Sequence, residues 1–407
     1  MNRKYILVAM VLSASVLSSC TKEKEDNFTY KEVPASQVVS DLGIGSRVVT
    51  FSITDGDGEA PADVVALNGS EIDLPAATSF GLDGYDFDGW ATSYNGTPLE
   101  KDKDGKQKLK VADNTVLYAV WKVRTVQKAL DAFEKGEKVP EGGKLVIEEK
   151  NLTEWEFKQL WKLFTADYFS EVNGSYTEID LSKTEITEIP KITFANTDLK
   201  AITFPETLKT IGEEAFENCN LLESVDFEKT AIETIGKNAF RGCNALKSVV
   251  ISNEIKEGDK KRDNTLKSIE EGAFLNCEAL TNKDAATLFV IPASVSSIGN
   301  NAFSGTAFTK IEVGAGVKLV KSGTFGGCTS LTEITFNYNG IDKLRINPNV
   351  FYDCPALTKI SYKAEKGVDL AIGEIPGNDE EVYSIGDGNH VYEVVETEKV
   401  ITVTEKN

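Results

Sequence analysis

Few residues of this chain could act chemically, and their spacing decides most of what they could do. Six cysteines and one histidine are the soft ligands and nucleophiles among 407 residues. Cys219, Cys243, Cys277, Cys328 and Cys354 each stand three positions after a phenylalanine, and Thr197 and Thr306 hold the same place after Phe194 and Phe303. A position that accepts cysteine or threonine calls for a small, buried side chain. Neighbouring strands lie about 4.8 Å apart, within disulfide reach, but in-register side chains run parallel rather than toward each other. Five is also an odd number, so mostly free, buried thiols are expected. The cysteines lack metal-ligand spacing, and His390 lies in the C-terminal segment away from any nucleophile motif. Neither a zinc site nor a Ser/His/Asp or Cys/His arrangement is therefore expected. The carboxylate pairs Asp55/Asp57 and Asp86/Asp88 read as turn residues. The run Asp55-Gly56-Asp57-Gly58 lacks the spaced oxygens and closing glutamate of a calcium loop. With no phosphate loop either, the expectation is a protein that is not an enzyme and needs no cofactor or metal.

The sixth cysteine is different. Arg3 and Lys4 precede an apolar stretch, Tyr5 to Val16, that is too short for a stable transmembrane helix. It ends in Leu17-Ser18-Ser19-Cys20, which resembles the lipobox of bacterial lipoproteins. The resemblance implies cleavage before Cys20 and acylation of that residue, so that several acyl chains hold the protein to a membrane. Residues 1–19 are then a signal peptide. Residues 20–45, opening with Thr21-Lys22-Glu23-Lys24-Glu25-Asp26-Asn27, are a solvated tether. The charged run also resembles the export signals of Bacteroidetes lipoproteins displayed on the outer face of the outer membrane. Processing would leave 42 basic residues against 64 acidic ones, a formal charge of −22. Such a surface disfavours nucleic acid and anionic headgroups, so contact with the membrane is expected through the lipid alone.

These residues must be carried by a set of elements. Residues 46–122 are β-rich: Val48-Val49-Thr50-Phe51-Ser52-Ile53 alternates, and Thr115 to Trp121 closes the segment. Val49-Thr50-Phe51, Gly69 to Pro75, Gly84-Tyr85-Asp86-Phe87-Asp88-Gly89-Trp90 and Leu117-Tyr118-Ala119-Val120-Trp121 together resemble the internalin B-repeat (Listeria–Bacteroides repeat) family. The resemblance implies a small β-grasp-like module with Tyr85, Phe87, Trp90 and Trp121 in its core. In residues 123–175 the period turns helical. Val126, Ala129, Leu130 and Phe133 share one face, and Gly136 and Pro140 end it. Leu145-Val146-Ile147 reads as a short strand. Thr153 and Glu156 form a capping box for a second helix carrying Phe157, Leu160, Trp161 and Phe164, expected to pack as a helical cap on the segment that begins at residue 176.

From residue 176 to 363 the chain repeats. The pairs Ile189/Phe194, Ile211/Phe216, Ile235/Phe240, Ile269/Phe274, Ile298/Phe303, Val320/Phe325 and Ile346/Phe351 are each five residues apart. Successive phenylalanines lie 22, 24, 34, 29, 22 and 26 residues apart, the two longest gaps containing insertions at 253–264 and 281–287. A period in the low twenties marks a solenoid, whose units bury a shared ladder only when stacked. The stretch from Leu199 to Cys219 resembles the BspA-like (Treponema pallidum-type) leucine-rich repeat nearly throughout. The resemblance implies a solenoid and an association with surface attachment. Residues 364–407, with Val391 to Val395 and Val400 to Val403 alternating, are expected to form a β cap.

The expected fold is thus mainly β with short helices: a β-grasp-like module, then a leucine-rich-repeat solenoid with a helical N-cap and a β C-cap. Between the two inward residues of each strand one points out. Thr203, Asp226, Val250, Val290, Glu312, Thr335 and Ser361 therefore form the candidate binding face. The expected function is a lipid-anchored, surface-exposed binding protein of the outer membrane, an adhesin for a host or bacterial surface protein. The alternative is a glycan-capture or accessory lipoprotein of an outer-membrane nutrient-uptake system.

Overall fold

Alternating β-branched and aromatic residues give the first unit its sheet. In a computed structural model, described over residues 16–22, 28–34, 45–140, 143–165, 174–251, 254–257, 260–263, 265–282, 287–337, 344–347, 349–362, 370–372, 390–395 and 400–405, the chain divides into two units, Met1–Gln127 and Lys128–Asn407.

In the first unit, strands β1 (Ser46–Ser52), β2 (Val64–Leu67), β3 (Tyr85–Ala91) and β4 (Thr115–Val123) form one sheet in the order β2-β1-β4-β3. β1 and β4 run parallel, and the outer pairs are antiparallel. Val49, Phe51, Phe80, Trp90, Val111 and Leu117 are buried beneath it, with Phe87 and Trp121 packed against them. Trp90 is the hub. Its ring lies 4.9 Å from Phe51 and 5.3 Å from Phe87, and its Nε1 donates to the Pro75 carbonyl at 2.7 Å. Tyr85 departs from expectation, because it stands half-buried outside this cluster. Asp86 and Asp88 also depart from expectation: they lie within β3, not in a turn. Both fall on the half-solvated side of the strand, where Asp86 accepts from Arg124 at 2.7 Å and Asp88 meets Lys101 at 3.3 Å. Further upstream, Val16–Lys22 pairs antiparallel with Phe28–Pro34.

The second unit starts in helix α1 (Thr125–Glu134), whose Val126, Ala129, Leu130 and Phe133 are all buried. Lys144–Val146 then forms a strand parallel to Glu178–Asp180, which continues parallel to Ala201–Thr203. Helix α2 (Glu154–Leu163) starts at the capping box: Glu156 N donates to Thr153 Oγ1 at 3.2 Å, and Thr153 N donates to Glu156 Oε2 at 2.8 Å. Leu160, Leu163 and Phe164 are buried. Trp161 is not: it is 37% exposed, so the apolar face of α2 is narrower than its composition implies.

Each repeat turn contributes a strand to either side of the stack. On one side the aliphatic residues before the phenylalanines form a parallel sheet from Glu188–Ile189 through Thr210–Ile211, Thr234–Ile235 and Ser268–Ile269 to Ser297–Ile298, and Leu319–Val320, Leu344–Ile346 and Leu370–Ile372 form a second. The other side carries the strands of the candidate face. Between the sheets the seven phenylalanines stand in one column. Phe194, Phe216, Phe240, Phe274, Phe303, Phe325 and Phe351 succeed one another at 5.3, 5.0, 5.3, 5.4, 5.9 and 5.9 Å between ring centroids, with ring planes within 13°. All are essentially inaccessible to solvent. Each such burial contributes roughly 1.5–3 kcal/mol. Phe164 meets the first ring of the column edge-on at 5.6 Å.

The turn around each phenylalanine is symmetric in backbone conformation. Two residues before and two after every one of the seven, φ is positive. Asparagine, glycine or aspartate occupies these places, as left-handed geometry demands, except at Ile192 and Glu214. The kinked turns still bond to one another, as when Phe216 N donates to Ala239 O and Phe240 N to Ala273 O, both at 2.8 Å. The insertion at 253–264 forms a hairpin, Glu254–Glu257 against Lys260–Asp263. At the C-terminal end, Val400–Glu405 pairs antiparallel with both Lys359–Tyr362 and His390–Val395.

Candidate functional site

The outward ladder is built by the strand period of two. In Lys310–Val313, Ile311 and Val313 are buried while Glu312 between them is not. The same alternation leaves Thr203, Asp226, Val250, Val290, Thr335 and Ser361 outside the core, Val250 with 41% of its surface exposed. Parallel register brings Val290, Glu312, Thr335 and Ser361 into one row, one residue per turn. Asp226 and Val250 form a separate pair, and Thr203 pairs with Asp180 in a third sheet. The ladder is thus three blocks rather than one continuous row. The long excursion between Ser248–Val250 and Phe289–Ile291 separates the last two, while the sheet on the other side runs through it unbroken.

Asn282 repairs the base of the second insertion. Its Nδ2 donates to the Thr287 carbonyl at 3.1 Å and to the Lys310 carbonyl at 2.8 Å, and its Oδ1 accepts from Thr309 N at 2.7 Å. A single asparagine in an irregular stretch carries no periodic signal, so its role was invisible in the sequence.

The repeat cysteines are buried thiols, none joined in a disulfide. Each thiol donates to the carbonyl of the phenylalanine one turn back: Cys219 to Phe194 at 2.9 Å, Cys243 to Phe216 and Cys277 to Phe240 at 3.0 Å, Cys328 to Phe303 at 3.2 Å, Cys354 to Phe325 at 3.1 Å. Thr197 and Thr306 donate instead to the phenylalanine carbonyl of their own turn, at 2.7 and 2.9 Å. The position thus selects a small side chain with a hydrogen to give. Burial pushes the thiols of Cys243, Cys277 and Cys328 above the usual thiol range. A thiol held protonated is a poor nucleophile and a poor metal ligand.

A family profile described as a BspA type leucine rich repeat region, in six copies, matches residues 162–262 and 260–368. The chain belongs to this family. Among solved structures, the BspA-type chain is similar to a leucine-rich repeat protein of Treponema pallidum, with 24% identity over 44% of this chain and 78% of that one, at a TM-score of 0.37. It is similar to a leucine-rich repeat protein from Bacteroides ovatus, with 21% identity over 52% and 65% of the two chains and a TM-score of 0.29. It is also similar to the pneumococcal vaccine antigen PcpA, with 21% identity over 46% of this chain and 50% of that one, at a TM-score of 0.31. No curated protein matches the sequence.

Other residues of chemical interest in this BspA-type chain are scattered. Cys20 falls within Val16–Lys22 and His390 within His390–Val395, and both side chains lie outside the described residues. Among the described residues no group of three or more His, Cys, Asp and Glu side chains is placed to hold a metal ion. No described helix is long and apolar enough to cross a membrane. Two further surface features are present among the described residues. A groove of about 610 Å³ is lined by Phe157 and Trp161 of α2 and by Ile192 of the first turn. A shallow basin of about 620 Å³ lies on the late turns around Tyr352. The basin gathers residues two and three places before successive repeat phenylalanines, but only the stacking of the turns sets them beside Tyr352.

Proposed function

We propose that this protein is a lipid-anchored cell-surface binding protein, an adhesin that presents its solenoid to a protein on a host or neighbouring cell. In this reading the signal is cleaved before Cys20, and the lipidated cysteine holds the chain to the outer membrane. Cleavage removes Val16 to Ser19, so the pairing of Val16–Lys22 with Phe28–Pro34 cannot persist in full, and the processed N-terminus is free to act as a tether. The first unit serves as a β-grasp-like internalin B-repeat spacer. Helix α2 with Phe164 closes one end of the phenylalanine column, and the antiparallel strands His390–Val395 and Val400–Glu405 close the other end of the sheet.

The row Val290, Glu312, Thr335 and Ser361 carries the proposal. It sets one unburied side chain per turn, at strand spacing, on a backbone locked by the core beneath. Such a row offers a partner fixed polar contacts without an ordering cost. Reversing its character tests the idea. The double variant Val290→Lys/Thr335→Arg should lower adhesion to immobilised host matrix proteins by about tenfold with a melting temperature near wild type. Undiminished adhesion would remove this face from the binding site. The anchor has its own test: Cys20→Ala should shift the protein from the membrane to the soluble fraction, and membrane retention would count against lipidation.

A further inference from the structure

Away from that face, the geometry of the late turns assigns a second binding site. We propose that the basin around Tyr352 binds a neutral saccharide. Its lining is Asn300, Asn301, Ser322, Gly323, Asn349 and Tyr352, around an open space of about 620 Å³. None of these six side chains carries a charge, in a chain where 27% of residues do. Amides and hydroxyls both donate and accept, which is what vicinal sugar hydroxyls require.

The aromatic member is seated rather than loose. Tyr352 comes directly after Phe351, and the preceding turns place Ala195, Glu217, Arg241, Leu275, Ser304 and Gly326 at the equivalent position. Gly326 leaves room for the ring: a Cβ there would collide with Cε1, Cδ1 and Cζ of Tyr352. One turn further back, the buried Ser304 meets the Tyr352 hydroxyl at 3.2 Å. The ring is thus laid across two turns and held at its far end, yet the residue keeps 40% of its surface exposed. A flat apolar surface fixed by its polar tip beside uncharged amides can stack on the C–H face of a sugar while the amides bind its hydroxyls. Asn349, in the left-handed conformation at φ 60°, lines the same basin.

The test applies the full-length protein to a printed array of neutral and acidic oligosaccharides and then titrates the best neutral ligand. Saturable binding confined to neutral sugars is expected. Tyr352→Ala should weaken it by about tenfold. Gly326→Ala leaves the tyrosine in place but displaces its ring, and Asn349→Gly removes the amide while keeping the turn geometry. Both should also weaken binding, with melting temperatures near wild type. An array without neutral binders, a preference for acidic sugars, or an affinity unmoved by both Tyr352→Ala and Gly326→Ala would overturn the proposal.

Discussion

At Ile192 the backbone is held at φ 61°, a conformation that crowds a β-branched side chain. Twelve equivalent positions hold asparagine, glycine or aspartate, so the turn itself does not demand isoleucine. Ile192→Asn should therefore raise stability by about 1 kcal/mol, read as a higher melting temperature. A lower one would show that the contacts of this half-exposed side chain outweigh the strain. The thiols make a second residue-scale prediction. Cys243, Cys277 and Cys328 should resist alkylation in the native protein and react once it is unfolded. Their folded pKa values lie above the free thiol value of 9.0. The unfolded chain thus loses its thiol protons first as pH rises, and the stability present below that value is progressively lost above it. Raising the pH from about 8 to about 10 should lower the melting temperature less in Cys277→Ser than in wild type, because a serine hydroxyl does not titrate there.

At the scale of the element, the two insertions show what a solenoid turn tolerates. The hairpin at 254–263 leaves the aliphatic sheet continuous, since Thr234–Ile235 still pairs with Ser268–Ile269 across it. The second insertion instead relies on Asn282, whose amide bonds backbone groups of Thr287, Thr309 and Lys310. Asn282→Ala removes those bonds in a partly buried setting. It should cost about 1–3 kcal/mol, measured by denaturant unfolding. A loss below about 0.5 kcal/mol would mean that water replaces the amide.

Over the whole molecule, stability should track the column. Phe240 stacks on Phe216 and Phe274 at once, with ring planes within 3° of each. Phe240→Ala opens a cavity that both neighbouring turns share, and should cost about 3–5 kcal/mol. In a stack where each turn touches only its neighbours, a break at the centre uncouples the two sides. Guanidinium unfolding monitored by circular dichroism should therefore become broader or biphasic. A single sharp transition with little loss would show that the column is not the unit of cooperativity. The first unit has its own core around Trp90, so it should keep its own transition in the variant.

The aliphatic–phenylalanine spacing, with cysteine or threonine three places on, was enough to read the solenoid, its core column, the unbridged thiols and which strand residues point away from the core. Those are local rules: a period of two along a strand, and a turn that repeats before its apolar face can be covered. The exposure of Trp161, the division of the outward ladder into blocks and the seating of Tyr352 were settled only by stacking, and the position of Asp86 and Asp88 within a strand only by sheet pairing in the first unit. Ser304 and Tyr352 are 48 residues apart in sequence, and only the winding of the turns between them sets their hydroxyls side by side. Contacts of that kind depend on which turn lies over which, and the lengthened gaps of 34 and 29 residues mark the insertions without saying how the strands pair around them.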